Sequence, residues 1–573
     1  MSHPAARTLA DALVAAAAAR PVRSTILVDS ELQARPIPHD ELLWLARQAS
    51  AALLEAGLRP GDRMFLILPT GQDFLAAFFG CLLAGIVPCP LSPPLGTQSL
   101  SAFETRLAQL ARALDIRGLL ALPEIAEGAS RELGPGFLAL TPDLFQAPRD
   151  TAAGPPEVAA LPDDVAFLQL TSGSTALPKG VVLPHRTVCA NLRQMAIQSG
   201  FLPGDVSVSW LPLFHDMGLI AGVLLPLTYQ QDLLLSTPFS FLRRPAHWLH
   251  AVHRYRGTHS TAPVFAFRQI VDRLTARDLA GLDLGSWRIA FIGAEPVHAG
   301  ILEQFDRLLA PYGFAETALT PCYGMAETTL AATAKPDGER YRTRAVSRRA
   351  LSAEARVADP EGPEDELVLV DCGRPLEGTH VFIVDEAGRE LPEGREGEIV
   401  VRGPSVFPGY AGLAEPSRES LAAGFRTGDL GFLDQGGLFI TGRRKDVIII
   451  SGENHHPAEI EWAVAGVEGV RPTRVAAFGI PDPELGTERL CVMAEPERRA
   501  GGSGAEPLDV AIRRRVREET GLLVYDVEIV PAGTIPVTTS GKIRRVRTKE
   551  IFLEILAARA AAQAETGMIQ DAV

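Results

Sequence analysis

Paired cysteines are missing from this chain. Its six cysteines, at positions 81, 89, 189, 322, 372 and 491, form no Cys-x-x-Cys spacing, so they read as reduced, mostly buried thiols of a cytoplasmic protein. Basic charge is also short. The 55 Lys and Arg residues against 69 Asp and Glu leave a net charge of −14, which argues against nucleic acid or an anionic membrane surface as the main partner. No apolar run is long enough to span a bilayer: the most hydrophobic stretch, 74–89, contains Gly80 and Gly85 and reads as a buried core helix, so no membrane anchor is expected. The alanine-rich stretch 5–20 lacks a basic start and carries Asp11 within its apolar run, the pattern of a surface helix and not of a signal peptide.

Two familiar phosphate loops are absent as well. Residues 171–180 read Thr-Ser-Gly-Ser-Thr-Ala-Leu-Pro-Lys-Gly. Pro178 falls where a Walker A loop needs its second glycine, and Gly180 where it needs Ser or Thr. There is no Gly-x-Gly-x-x-Gly here either. What the loop does hold is Thr171, Ser172, Ser174 and Thr175, with Gly173 and Lys179, between an apolar run at 165–170 and a β-prone run at 181–183. Hydroxyls, backbone N–H groups and one ammonium so placed can wrap a polyphosphate.

At 573 residues the chain exceeds one core, so a large multi-lobed domain and a smaller second one are expected. Strand and helix patterns alternate from about 25 to 160, which predicts parallel sheet covered by helices, an α/β fold. Residues 150–162 are turn-rich and read as a linker. His215 and Asp216 follow an apolar run in Ser-Trp-Leu-Pro-Leu-Phe-His-Asp-Met-Gly-Leu, 209–219, with Met217 and Gly218 placed for the mouth of an apolar tunnel. Two further strands end in Gly293-Ala294-Glu295 and in Tyr323-Gly324-Met325-Ala326-Glu327, where ligands of open α/β sheets bind. Tyr323 offers a flat face for a base, and Glu327 can hold a hard cation such as Mg²⁺. The charged, weakly periodic segment 335–366 reads alone as a surface insertion. From 380 short strands predict a small antiparallel subdomain, with Asp429 in a turn between strands, where it could accept both hydrogen bonds of a ribose diol. Gly442 begins a polar strip taken as the boundary of a C-terminal α/β domain, and Ser-Gly-Lys, 540–542, presents Lys542 on a loop tip.

These stretches, in this order and over nearly the whole chain, resemble the adenylate-forming superfamily of acyl-CoA synthetases, luciferases and adenylation domains. Within it the chain looks most like the fatty acyl-AMP ligases. That narrower likeness rests on 209–220 followed by Pro-Phe-Ser-Phe-Leu-Arg-Arg-Pro from 238, on Asn-His-His-Pro-Ala-Glu-Ile-Glu at 454–461, and on the long segment 335–371 before Cys372. The resemblance implies two domains, 1–442 and 443–573. It implies attack of a fatty-acid carboxylate on the α-phosphate of MgATP, with Thr171 to Lys179 (Ser172, Gly173, Ser174 and Thr175 included) around the β- and γ-phosphates and Glu327 on Mg²⁺. Gly293, Ala294, Glu295, Tyr323, Gly324 and Met325 would frame adenine, and Asp429, Ile440 and Arg443 the ribose side. Lys542 would bridge carboxylate and α-phosphate, His215 would stand where the acyl carboxylate meets the nucleotide, and Lys445 would be the hinge. His215, Asp216, Met217, Gly218, Pro263 and Phe265 would line the acyl pocket, although 260–267, Ser-Thr-Ala-Pro-Val-Phe-Ala-Phe, departs from the subfamily's Gly before Pro and Asn after it. No protein nucleophile is needed, in keeping with the absence of a Ser-His-Asp or Cys-His arrangement. The acceptor would be the phosphopantetheine thiol of an acyl carrier protein on a separate chain, with the insertion suppressing release onto CoA. Amino-acid activation is disfavoured, because the substrate region offers no evident carboxylate for an ammonium group.

Overall fold

Among the residues described (6–94, 99–145, 159–171, 178–202, 204–413, 423–482, 487–497, 506–538 and 541–570), this computed structural model places most of its parallel strands in two sheets. Ser172, Gly173, Ser174 and Thr175 lie outside the described residues, as does most of the linker at 150–162. In the larger sheet the parallel strands Leu319–Tyr323, Ile289–Gly293, His259–Pro263, Val206–Ser209, Asp232–Leu235 and Ser24–Val28 lie side by side. Their carboxyl ends share one edge, so Trp210, Phe265, Ala294 and Gly324 all leave the sheet toward the same side. The second sheet, Val87–Pro90, Arg63–Ile67, Ile116–Ala121 and Leu138–Leu140, is parallel throughout. Helix Gln72–Leu83 packs between its neighbours with every residue from Phe74 to Leu83 buried, and Phe74, Phe78 and Phe167 form a ring-to-ring chain through this core. Gly80 lets it approach: a Cβ there would stand 2.7 Å from Ala49. Among the described residues, no helix is long and apolar enough to cross a membrane.

The hairpin Val165–Leu170 and Gly180–Pro184 brackets the phosphate loop, closed by the Thr171 N–H on the Lys179 carbonyl at 3.0 Å. Strands His380–Val384, Gly397–Arg402, Phe425–Asp434 and Gly437–Arg443 form the small antiparallel sheet. Beyond it, Ile448, Ile460, Val475, Val492, Ile512 and Val527 build a core drawn only from the C-terminal part. Gly442 belongs to the last strand of the small sheet, which runs to Arg443, and the turn comes at Arg444–Asp446. A Cβ on Gly442 would meet the His456 ring at 2.4 Å, so this glycine serves close packing and does not begin a turn.

Segment 335–371 is a structured element and not a bare surface insertion. Strand Thr343–Ser347 pairs antiparallel with Glu366–Val370 around the short helix Arg348–Glu354. Val346 and Leu351 pack on Phe432 and Phe439 of the small sheet. At its start the buried Lys335 ammonium donates to the carbonyls of Thr317, Pro336 and Glu339 at 3.0, 2.9 and 2.6 Å.

One ionisable group in this framework costs stability. Asp306 lies on helix Ala299–Leu309 next to fully buried Phe305, and burial, opposed by Arg340, pushes its carboxyl from 3.8 up to about 6. A carboxyl raised on folding contributes stability that is complete below its unfolded value and lost as pH rises through 6. Asp306→Asn cannot ionise, so it is expected to gain on the order of 1 kcal/mol well above that range, solvent screening of this partly exposed group reducing the gain, and nothing below about pH 4, read from urea melts at both extremes.

Candidate active site

The carboxyl ends of the large sheet, the small sheet and the C-terminal segment enclose a cleft of about 2370 Å³. It is lined by Thr171, Lys179, His215, Asp216, Met217, Pro263, Phe265, Ala294, Glu295, Tyr323, Gly324, Met325, Glu327, Asp429, Ile440, Arg443, Lys445 and Lys542. Residues up to 371 positions apart in sequence (Thr171 to Lys542) thus meet in one space. Gly218 and Gly293 do not line it. A Cβ on Gly218 would meet the Pro212 carbonyl oxygen at 2.2 Å, and one on Gly293 the Cys322 carbonyl at 2.8 Å, so both are needed for close backbone packing behind the wall.

On one side of the cleft Asp429 is nearly enclosed, 6% exposed, and accepts two hydrogen bonds: from the Tyr323 hydroxyl at 2.9 Å and from Arg443 Nε at 2.8 Å. It stands within strand Phe425–Asp434, not in a turn between strands as its surroundings in sequence suggest. The strand bulges there. Glu398 pairs with Leu430 and Val400 with Arg426, leaving Thr427, Gly428 and Asp429 opposite Ile399 alone. Gly428, at φ +74, takes the left-handed turn of the bulge, and its N–H is held by Glu398 at 3.1 Å. Glu398 also binds Arg426 and Arg444. Burial, then the Asp429 charge, pushes the Tyr323 phenol well up, so it remains a donor.

At the phosphate loop Tyr410 was not foreseen. Its hydroxyl donates to Glu327 Oε1 at 2.8 Å, and Lys179 Nζ lies 4.7 Å from its ring centroid. It also bridges Val181 in the hairpin. One aromatic side chain therefore ties the loop lysine to the carboxylate. Its local signal, Pro-Gly-Tyr at 408–410, is an ordinary turn sequence.

On the acyl side Asp216 pairs with His215 Nδ1 at 2.6 Å and accepts from the Met217 N–H at 2.7 Å, opening the helical turn Met217–Leu224. Burial works to raise its carboxyl, but His215 and the Lys542 ammonium hold it below the usual range. Glu295, which also lines the cleft, accepts the Phe265 N–H at 3.1 Å, at the start of helix Val264–Arg273. Burial raises it, with Lys542 the leading opposing charge. Two carboxylates, Asp216 and Glu295, thus stand near Lys542. Asp216 is already matched by His215, and Glu295 by a backbone N–H.

Glu327 suits Mg²⁺. Among the described residues no three His, Cys, Asp or Glu side chains cluster as a protein cage, whereas a hard cation taken up with a polyphosphate needs one or two carboxylates and leaves its other positions to phosphate and water.

The chain matches the family model described as AMP-binding enzyme over residues 14–411. It is 36% identical to JamA, a medium-chain-fatty-acid acyl-carrier-protein ligase of Moorena producens, over 97% of this chain and 96% of that one. It is also 36% identical to the long-chain-fatty-acid AMP ligase FadD26 of Mycobacterium marinum, over 90% and 91%. A solved structure from work on the fatty acyl-adenylate ligases of E. coli and L. pneumophila superposes with a TM-score of 0.86 at 32% identity, covering 96% of this chain and 98% of that one. With the fold, the cleft and these likenesses together, the chain belongs to the AMP-binding enzymes and, among them, to the fatty acyl-AMP ligases.

Proposed function

We propose that this ligase condenses a medium- or long-chain fatty acid with ATP to give acyl-adenylate and pyrophosphate, then passes the acyl group to the phosphopantetheine thiol of an acyl carrier protein. The observation that carries this reading is the convergence of Lys542, from the C-terminal part, with Asp429, Tyr323 and Lys179 in a single cleft. In this assignment Lys179 and Thr171 take the β- and γ-phosphates, Asp429 and Arg443 the ribose, and Tyr323 with Ala294 flanks the base. Lys542 stabilises the charge that grows on the α-phosphate as the carboxylate attacks. Glu327 would hold Mg²⁺, which neutralises phosphate charge when bound. The chain divides into 1–442 and 443–573, with Lys445 as the pivot between half-reactions. The six free cysteines suit a reducing, cytoplasmic setting.

Support for a carrier rather than CoA as acceptor comes from the insertion. Arg348 on its helix bonds Glu459 of helix Pro457–Ala465 at 2.5 Å, tying the segment to the part that must pivot. The deciding reaction contains ATP, Mg²⁺, C8–C16 fatty acids and CoA, with products identified by mass spectrometry. Acyl-adenylate accumulating without acyl-CoA is expected, whereas abundant acyl-CoA would replace this reading with an acyl-CoA synthetase.

Tyr410→Phe keeps the ring under Lys179 and removes the bond to Glu327. The half-saturating Mg²⁺ concentration for pyrophosphate release is expected to rise about 10-fold, with saturated turnover little changed. An unchanged Mg²⁺ titration would show that the Tyr410 hydroxyl does not tune the Glu327 carboxylate for the metal.

A further inference from the structure

Helix Val264–Arg273 has two faces with different surroundings. Ala266, Phe267 and Ile270 are fully buried in the core. Phe265, Arg268 and Gln269 line the cleft, the spacing that gathers side chains on one face of a helix. That cleft-facing side is a seat for the C-terminal part. A Cβ on Gly541, next to Lys542, would stand 4.0 Å from the Phe265 ring. The Arg268 guanidinium lies 5.2 Å from the centroid of Trp462, and Asp272 one turn on orients it at 2.6 Å.

The same indole is stacked by His298, with ring centroids 3.6 Å apart and planes 13° from parallel. His298 Nδ1 accepts the Gly300 N–H at 3.2 Å. Burial first, and Arg268 second, bring this imidazole down to about 4, so the ring is neutral in ordinary conditions. A neutral imidazole and a guanidinium therefore share one indole without repelling each other, while the indole receives both stacking and cation–π attraction. Trp462 lies on helix Pro457–Ala465, three residues from Glu459 and next to Glu461, which binds Arg545. The Arg348–Glu459 ion pair reaches the same helix from the insertion, so two contacts hold it.

We propose that Trp462, seated on Arg268 and His298, is a positioning residue for the first half-reaction. It holds the C-terminal part so that Lys542 stays in the cleft, and it must leave its seat before acyl transfer. The proposal rests on the acyl-adenylate reading and on a pivot at Lys445. Arg268 and Phe265 share this cleft-lining helix, so in the acyl-adenylate reading the seat lies on the element that would wall the acyl pocket.

The test uses full-length protein, with Trp462→Ala and the conservative Trp462→Phe. Pyrophosphate release from ATP and fatty acid is measured apart from acyl transfer to pantetheine from supplied acyl-adenylate. Trp462→Ala is expected to lower kcat for pyrophosphate release about 10-fold, with KM for ATP nearly unchanged, while transfer is unimpaired or faster. Trp462→Phe should recover most of the loss. An unaltered first half-reaction, or an equal fall in both, would overturn the proposal. Tryptic cleavage at Arg443–Lys445 in the absence of substrate gives an independent readout, expected faster in Trp462→Ala than in the parent, and equal rates would also overturn it. A parent enzyme that releases no pyrophosphate with any fatty acid would sink the acyl-adenylate reading instead, and the cleavage comparison would still decide the seat.

Discussion

Lys542→Ala is expected to slow acyl-adenylate formation by roughly 10²–10³-fold, the cost of removing one preorganised charge from a phosphoryl-type transition state. The loss should fall on kcat, with KM for ATP little altered, because the interaction strengthens only as charge moves onto the α-phosphate. The ground-state surroundings support that split. Lys542 stands near Asp216 and Glu295, two carboxylates held by His215 and by the Phe265 N–H, so its ammonium has counter-charges before any nucleotide arrives. The hairpin turn that carries it is closed without the Lys542 side chain, by Thr538 N–H to the Lys542 carbonyl at 2.7 Å, Gly541 N–H to the Thr538 carbonyl at 2.9 Å and Lys542 N–H to the Thr538 hydroxyl at 3.1 Å. Truncating the side chain therefore leaves the turn intact, and the melting temperature should hardly move. Pyrophosphate exchange at near parental rate would take Lys542 out of the mechanism.

The features legible in the sequence were those in which one short stretch supplies several groups. The phosphate hairpin, the strand-end tripeptide at 293–295 and the run 323–327 each announce themselves because a β-prone segment gives way to a short stretch that holds both a glycine and polar side chains. Groups that act in pairs across the fold left no such trace. Tyr410 meets Lys179 and Glu327 from 231 and 83 positions away, and nothing at 408–410 distinguishes it from a turn. Glu398 reads as a polar residue of a strand, yet it fixes the bulge that aims Asp429. The insertion was hard to read for another reason. Strand Glu366–Val370 is half-buried at three consecutive positions, so neither face is clean and the two-residue alternation that marks a strand is erased.

Asp429→Ala is expected to act on a different kinetic constant. The carboxylate is 6% exposed and ties the Tyr323 hydroxyl to Arg443. Removing it takes from the nucleotide an acceptor whose bonds to a hydroxyl pair would be charge-assisted, each contributing about 1.5–3 kcal/mol. Losing one or two such bonds should raise KM for ATP on the order of 10²-fold. The ribose is remote from the bond being made, so this binding is shared by ground state and transition state, and kcat should fall far less than in Lys542→Ala. A part of the effect will be structural, since Tyr323 loses its acceptor and Arg443 its counter-charge. Arg443 is half exposed, so water replaces much of what it loses, and the cost to stability should stay near 1 kcal/mol. Asp429→Asn separates the contributions. It keeps an acceptor oxygen for Tyr323 and the shape of the bulge, but presents one acceptor and no charge to a diol. If KM for ATP in Asp429→Asn rises nearly as far as in Asp429→Ala while its melting temperature matches the parent, the carboxylate holds the ribose; if KM is unmoved in both, Asp429 only braces the wall formed by Tyr323 and Arg443.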